Sequence, residues 1–472
     1  MDSKEFRRLG HQLVEWIASY RDHLEDLPVM SPLQPGAVKR LLPAQPPARG
    51  AGLEGILQDL DQVVLPGVTH WTHPGFFAYF PANADLASVL ADLVGSGLGA
   101  VAVNWQTGPA ATEVEEVVMD WLRQMLGLGE AFSGVIQDSA SVSTFVALLC
   151  ARERTGGFGQ NRGGLQAEEA PMVVYASDQA HSSVGKDALL AGFGKDNLRL
   201  IATDGEHALR LDLLEAAIEA DLAAGRKPCA LVAAVGTTAT TALDPVRGMA
   251  GLARRYGLWL HVDAALAGSA MICPECRWMW DGIEAADSVV VNPHKWLGTG
   301  FDLSAYFVRD PEHLIRVMST NPSYLRTEHD GEVKNLRDWG IPLGRRFRAL
   351  KLWFVIRDQG VEGLQARLRR DMRHAQWLMA QVDAAPYWER LAPVPLQTVC
   401  IRHCPPRLRG EAQLRRHNLA IVDRINKGGR FYLTPAVLKG AQMIRVSIGS
   451  EATERTHVEQ LWEALARLAG EP

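Results

Sequence analysis

LWLHVDAA (residues 258–265) and SVVVNPHKWL (residues 288–297) decide how this chain is read. Each is a short run of β-branched and aromatic residues, apolar on both faces, that breaks off into polar groups. A strand apolar on both faces must be covered on both sides, as in a parallel sheet lying between helices. Working outward, runs of the same kind stand at Met172–Ala176, Ala230–Val235 and Ser304–Val308, separated by helix-length spacers. From residue 86 to about 310 this alternation is continuous and predicts an α/β fold with a mostly parallel sheet.

Further out the pattern changes. Phe6, Leu9, Leu13, Ile17 and Leu24 fall at helical spacing in an amphipathic N-terminal stretch that does not read as a signal peptide. Glu5, Glu15, Asp22 and Glu25 dilute its basic charge, which favours packing on protein over lying on a membrane. The prolines of MSPLQPGAVKRLLPAQPPARG (residues 30–50) forbid a long helix and predict an extended arm, which suits an oligomer better than a monomer. Helical patterning resumes at Leu53–Val64. Beyond residue 345, RRFRALKLWFVIRDQG leads into a smaller lobe with strand-like Gln397–Ile401 and Met443–Ser447 and a closing helix from about Glu454. The expected partition is 1–85 as a helical arm segment, 86–355 as the large domain and 356–472 as a small α+β domain.

The chain has 472 residues and a net charge of −5, with 47% hydrophobic and 22% charged residues. That length predicts two or three lobes, and the charge gives nucleic acid no cationic surface. No uncharged apolar run is long enough to span a bilayer, so no membrane partner is expected. Six cysteines in a long chain without an export signal predict reduced thiols and a cytoplasmic setting. Cys273 and Cys276 (CPEC) and Cys400 and Cys404 (CIRHC) have spacings seen in zinc and redox sites. The two pairs are far apart in sequence, so buried thiols and no metal are expected. TGGFGQNRGGL (residues 155–165) lacks the Lys-Ser/Thr ending of a phosphate-binding P-loop and reads as a flexible surface loop.

In parallel α/β sheets ligands gather beyond the carboxyl ends of the strands. There Asp263 is either a turn residue or a carboxylate aimed into a cleft. Lys295, beside Trp296 and Leu297, is either solvated or a partly desolvated amine able to condense with an aldehyde. Asn292 and His294 flank it. Ser139, Ala140, Ser141 and Thr144 precede a helical run and serve as a helix cap, a phosphate seat or both. His181, after the Met172 strand, is a surface histidine or a ring clamp, and Gly236-Thr237-Thr238 offers another hydroxyl. Together these supply an aldehyde anchor, a pyridinium counter-ion, a phosphate seat and a ring clamp, which is what pyridoxal 5'-phosphate requires.

With these residues in place, the sequence resembles the aromatic-L-amino-acid decarboxylases, group II of the pyridoxal-phosphate-dependent decarboxylases. The landmarks are THWTHPGFFAYFP (69–81), VIQDSAS (135–141), HVDAALAGSAMICPE (261–275), NPHKWL (292–297) and IPLGRRFRALKLWF (341–354). The resemblance runs from about Phe6 to residue 465. It implies fold type I, the aspartate aminotransferase-like architecture, with a seven-stranded sheet and a smaller C-terminal domain. It implies that Lys295 binds the cofactor covalently, Asp263 pairs with the pyridine nitrogen, His181 stacks on the ring and Ala265 packs on the other face. Ala140, Ser141, Thr238, Asn292 and His294 would surround the phosphate. Trp71, Tyr79 and Phe80 would line the substrate pocket. Val101 and Val103 would reach a site shared across a homodimer, with the N-terminal segment wrapped on the partner.

The same resemblance implies decarboxylation of an aromatic L-amino acid (tryptophan, 5-hydroxytryptophan, DOPA, tyrosine or phenylalanine) to an arylalkylamine. Tyr324 would be the acid that returns a proton to Cα, with His181 as a relay. Relatives with phenylalanine or asparagine at those two positions tend to be oxidative aldehyde synthases, so both residues favour simple decarboxylation. Gly344 stands where histidine decarboxylases carry serine and leaves room for a larger ring. Leu266, Ala82-Asn83-Ala84-Asp85 and Val103 depart from the animal pattern and look bacterial. Two alternatives stand beside this reading: oxidative decarboxylation to an aromatic acetaldehyde, and a non-catalytic cofactor-binding protein on the same fold.

Overall fold

A computed structural model of the chain describes residues 1–50, 52–159, 162–320, 325 and 327–470. It divides into two units: Met1–Pro81 with Ala384–Glu389 and Ile401–Pro472, and Ala82–Asp383 with Arg390–Cys400. The first opens with α1 (Ser3–Asp22), capped by the Asp2 carboxylate, which accepts from the Lys4 and Glu5 amides at 2.9 and 2.8 Å. In the proline-rich stretch only the five-residue α2 (Ala37–Leu41) forms, between Pro35 and Pro43. It is followed by α3 (Gly52–Asp59).

The second unit carries α4 (Leu86–Leu98), α5 (Pro109–Leu126), β1 (Ser133–Gln137), α6 (Ala140–Thr155), β2 (Met172–Ser177), α7 (Ser182–Leu190), β3 (Leu198–Ile201) and α8 (Leu211–Ala223). It continues with β4 (Lys227–Ala234), α9 (Val246–Tyr256), β5 (Trp259–Asp263), β6 (Ser288–Val291), β7 (Ser304–Val308), α10 (Pro311–Met318) and α11 (Ala349–Ala384). α11 is two helices meeting at Gly360, whose φ of 64° breaks the helical path. The strands form a seven-stranded sheet in the order β1-β7-β6-β5-β4-β2-β3. The β2–β3, β2–β4, β4–β5 and β5–β6 pairs are parallel, and β7 alone runs against its neighbours β6 and β1. The expected mostly parallel sheet is therefore present. β1 and β3 went unread in the strand pattern because β1 is short and begins Ser-Gly, and the edge strand β3 is interrupted by Arg199.

Every residue of β2, β6 and β7 is buried. α6 packs Val146, Ala147, Leu148, Cys150 and Ala151 against this sheet, which is why its whole inner face is small or apolar. Strand polarity then fixes where function can sit. β1 is antiparallel to β7, as is β6, so β1, β2, β4, β5 and β6 all deliver their carboxyl ends to one edge.

The chain ends with β8 (Trp388–Arg390), β9 (Thr398–His403), α12 (Glu411–Lys427), β10 (Thr434–Leu438), β11 (Ala441–Ser447) and α13 (Arg455–Gly470). These strands form a second sheet in the order β10-β11-β9-β8. All six cysteines are free thiols, with Cys273 and Cys276 buried. Within the glycine-rich 155–165 stretch, Arg316 lies 3.4 Å from the Phe158 ring centroid and Leu165 packs on the core of the second unit. Among the described residues, no helix is long and apolar enough to cross a membrane.

Candidate active site

The end of β5 sets the centre. Asp263 is half-buried, and its Oδ1 accepts from the Ala265 amide at 3.1 Å, which leaves Oδ2 for another donor. The backbone around it is fixed on both sides: Val235 N–H donates to the Asp263 carbonyl at 2.9 Å, and Ala264 N–H to Val290 at 3.0 Å. Beyond Val235, Gly236 adopts φ +86°, and a Cβ there would come within 2.6 Å of the Ala267 Cβ. That turn needs glycine, and it places Thr238 at the surface beside the buried Thr237.

The Asn292–Lys295 turn is stitched to the same place. Asn292 N–H donates to the Ala265 carbonyl and Lys295 N–H to the Asn292 carbonyl, each at 2.9 Å. The Asn292 side chain accepts from Ser304 at 2.7 Å, and Asn83 donates to the Lys295 carbonyl at 3.1 Å. Lys295 itself is half-buried between buried His294 and Trp296. The Trp296 indole N–H donates to fully buried Asp371 at 2.9 Å. Burial and the Lys295 charge push His294 down to about 3, so it stays neutral. Its Nδ1 accepts from the Leu303 amide at 3.0 Å, which leaves the proton on Nε2 as a donor.

α6 begins at the end of β1. The Ser139 hydroxyl accepts from the Val142 amide at 3.3 Å, and Ala140 and Ser141 form the first turn. After β2, His181 caps α7: its Nδ1 accepts from the Ser183 amide at 3.2 Å and meets the Ser183 hydroxyl at 2.8 Å. The ring is thereby oriented with Nε2 outward as the protonated nitrogen. Ala140, Ser141, His181, Thr238, Asp263, Ala265, Asn292, His294 and Lys295 thus all stand at carboxyl ends of strands on one edge of the sheet.

These groups match the demands of pyridoxal 5'-phosphate on chemical grounds. They comprise an amine on a rigid turn, a carboxylate with one free oxygen, a helix start with hydroxyls, an imidazole and a small alanine. The sequence-predicted pocket residues fall in two groups. Val101 and Gly344 are neighbours in the second unit: Val101 bridges Arg346, and a Cβ on Gly344 would meet only Val101 Cγ1, at 3.9 Å. Arg345 holds that segment through a buried pair with Glu115 at 2.7 Å and a hydrogen bond to the Ile136 carbonyl at 2.6 Å. Val101 and Gly344 are both exposed, and Val103 is half-buried.

Trp71, Tyr79 and Phe80 belong to the first unit, where Trp71 and Tyr79 share an aromatic group. Trp71 and Tyr79 ring centroids are 5.5 Å apart, Tyr79 and Tyr432 are 6.1 Å apart, and Arg445 lies 4.5 Å over Phe80. Tyr432 and Arg445 were missed in the sequence because they come from a distant strand region with no motif of its own. Tyr324 lies outside the described residues.

A family model described as the pyridoxal-dependent decarboxylase conserved domain matches residues 35–403. The chain is 41% identical to a phenylacetaldehyde synthase of Arabidopsis thaliana, covering 98% of this chain and 96% of the relative. It is 40% identical to an aromatic-L-amino-acid decarboxylase of Rattus norvegicus, over 99% and 98% of the two chains. The crystal structure of Oryza sativa TDC with PLP and tryptamine superimposes with a TM-score of 0.96 at 36% identity, covering 99% of this chain and 98% of that one.

Proposed function

As a member of the pyridoxal-dependent decarboxylase family, with the fold type I architecture, the chain is a carboxy-lyase that uses pyridoxal 5'-phosphate; we propose that it decarboxylates an aromatic L-amino acid to the arylalkylamine. The observation that carries this is the convergence of Lys295, Asp263 and His181 on one sheet edge. When bound, the cofactor supplies an aldehyde for amines and a ring that accepts the electrons released as carbon dioxide leaves.

The chain's residues do the rest. Lys295 would hold the aldehyde. Oδ2 of Asp263 would hold a proton at the ring nitrogen, a positive charge that would favour the loss of carbon dioxide. The α6 start, Ser141, Thr238, Asn292 and the Nε2–H of His294 bind the phosphate. His181 and Ala265 hold the ring plane, and His181 with Tyr324 passes a proton back to Cα. Trp71, Tyr79, Phe80, Val101, Val103 and Gly344 are the residues that the family resemblance assigns to the substrate ring, with Gly344 admitting tryptophan, 5-hydroxytryptophan, DOPA, tyrosine or phenylalanine.

We further propose a homodimer whose second copy completes the site, with the 1–85 segment as the arm laid on it. Exposed Leu86, Leu90, Leu93 and Leu98 on α4, with Val101 and Phe301, support this. The start of α4 is tied to the Lys295 turn: Asp85 N–H donates to Gly298, and Ser88 accepts from the Gly300 amide at 2.7 Å. Free thiols support a cytoplasmic setting, and the departures at Leu266, 82–85 and Val103 support a bacterial source.

A panel of aromatic amino acids scored for carbon dioxide, amine, aldehyde and peroxide tests the reaction. Amine equal to carbon dioxide is expected. Aldehyde and peroxide in that ratio would instead establish the oxidative reading, which the resemblance to an aldehyde synthase keeps in view. Bound cofactor with no turnover on any of them would leave a non-catalytic binding protein.

A further inference from the structure

The edge of the seven-stranded sheet opposite Lys295 bears a cavity of its own. There β5 and β6 begin and the reversed β7 ends, since Ser288 pairs with Val308. A space of about 350 Å³ lies between these strand ends and the last turns of α6 and α9. Ala250, Ala253, Gly257 and Ala285 line it and keep it open by being small. Three guanidinium groups and one carboxylate line the same space: Arg154 near the end of α6, Arg254 near the end of α9, Arg309 just after β7, and Asp287 just before β6.

Asp287 holds two of the arginines in place. Its Oδ1 accepts from Arg154 Nη1 at 2.9 Å and from Arg309 Nη2 at 3.2 Å, and its Oδ2 accepts from the Leu260 amide at 2.8 Å. The backbone fixes it in turn: Asp287 N–H donates to the Leu260 carbonyl at 2.9 Å, and Arg309 N–H to the Asp287 carbonyl at 3.0 Å. The Arg154 guanidinium also lies 4.7 Å over the Trp259 ring. The exposed Arg254 side chain has no ion pair among the described residues. The neighbouring acidic groups are engaged elsewhere: Glu284 with Arg247 at 3.7 Å, Glu153 with Arg152 at 3.4 Å, Glu215 with Arg255, and Asp310 with the His313 amide at 3.0 Å.

Basic residues commonly end helices, where they meet a partial negative charge of about half an elementary unit. That accounts for one arginine on α6 and one on α9. It does not account for Arg309, which follows a strand, or for all three lining one cavity. Three positive charges against one carboxylate leave two in excess, of which the two helix ends offset about one. We propose that this cavity binds a small phosphate monoester. Guanidinium groups arriving from three elements suit a tetrahedral group with three terminal oxygens, whereas a carboxylate offers two oxygens in one plane. The volume lies in the range of small-molecule sites and leaves room for an organic part. The cavity shares no residue with the Lys295 site.

The test uses holoenzyme, whose own phosphate seat is filled, freed of excess pyridoxal 5'-phosphate. It is titrated by calorimetry at low ionic strength with inorganic phosphate and with glycerol 3-phosphate. One saturable site per chain is expected for each, with the ester bound at least as tightly. Arg254→Ala and Arg309→Gln should each weaken binding by about tenfold or more. Arg255→Ala, one residue on and paired with Glu215, should leave it unchanged. Arg254 has no ion pair to lose, so Arg254→Ala should melt with the native chain in the absence of phosphate. Added phosphate should then raise the native Tm above that of the variant. No saturable binding by the native chain, or the same affinity in both cavity variants, would overturn the proposal. An ester bound more weakly than inorganic phosphate, or acetate competing as well as phosphate does, would overturn the choice of a phosphate monoester.

Discussion

At the scale of the residue, Lys295 and Asp263 make separable predictions. Lys295→Ala should bind cofactor without the visible absorbance of a lysine-linked aldehyde, and turnover should fall by roughly 10³-fold or more. Asp263→Asn keeps the shape but not the charge proposed to face the ring nitrogen. Its kcat/KM should drop by about 10²–10³-fold with a melting temperature close to native; an undiminished rate would remove Asp263 from the mechanism. His261, beneath them, has a different consequence. The Trp259 indole donates to Ser288 at 3.0 Å, Ser288 meets His261 Nδ1 at 2.9 Å, and Nε2 meets Thr144 at 3.2 Å. Protonating Nδ1 reverses this chain, and burial lowers the ring to about 4. Because the folded value lies below the unfolded one, the stability is fully present above about pH 6.5 and is lost as pH falls toward 4. The contribution is about 3 kcal/mol. Denaturant unfolding at pH 7 and 5 should show a smaller acid loss for His261→Gln than for the native chain. Lys295 and Asp263 were legible in the sequence because each stands directly after an apolar run. The burial of Asp187 on α7 was not, because an aspartate next to Lys186 on a helix reads as solvated until packing shows which face is buried.

At the scale of the element, the strand ends are precise because their turns are over-determined. The Gly236 turn requires positive φ and the absence of a Cβ against Ala267. Gly236→Ala should therefore destabilise by about 1–3 kcal/mol and weaken cofactor binding, since Thr238 moves with the turn; equilibrium dialysis with a parallel melt checks both. The helical start of α11 was legible from its apolar pattern. Its break at Gly360 was not, since a glycine inside a helical pattern is ordinarily tolerated. The polarity of β7 was also illegible: a buried apolar strand reads the same in either direction, and only pairing with β6 and β1 reveals that it runs backwards.

At the scale of the whole molecule, the question is what covers α4. Leu90, Leu93 and Leu98 are 50%, 53% and 66% exposed, and Phe301 is 71% exposed. These are large apolar groups on one helix and the turn tied to it, a patch that a soluble chain ordinarily covers. The helix that bears them is hydrogen-bonded to the Lys295 turn, and the neighbouring Val101 and Gly344 are exposed where a pocket wall is expected. A second copy seated on this face would bury the patch and close the wall in one step, because a two-fold interface presents the same surface from both sides. Charges placed there should therefore act on assembly and catalysis together. Leu93→Asp with Leu98→Asp should shift the chain from dimer to monomer in light scattering and remove most turnover. The far-ultraviolet circular dichroism and the buried Lys295 turn should stay as they are. A double variant that remains dimeric and active would place the interface elsewhere. A monomer of undiminished activity would show that one copy holds the complete site.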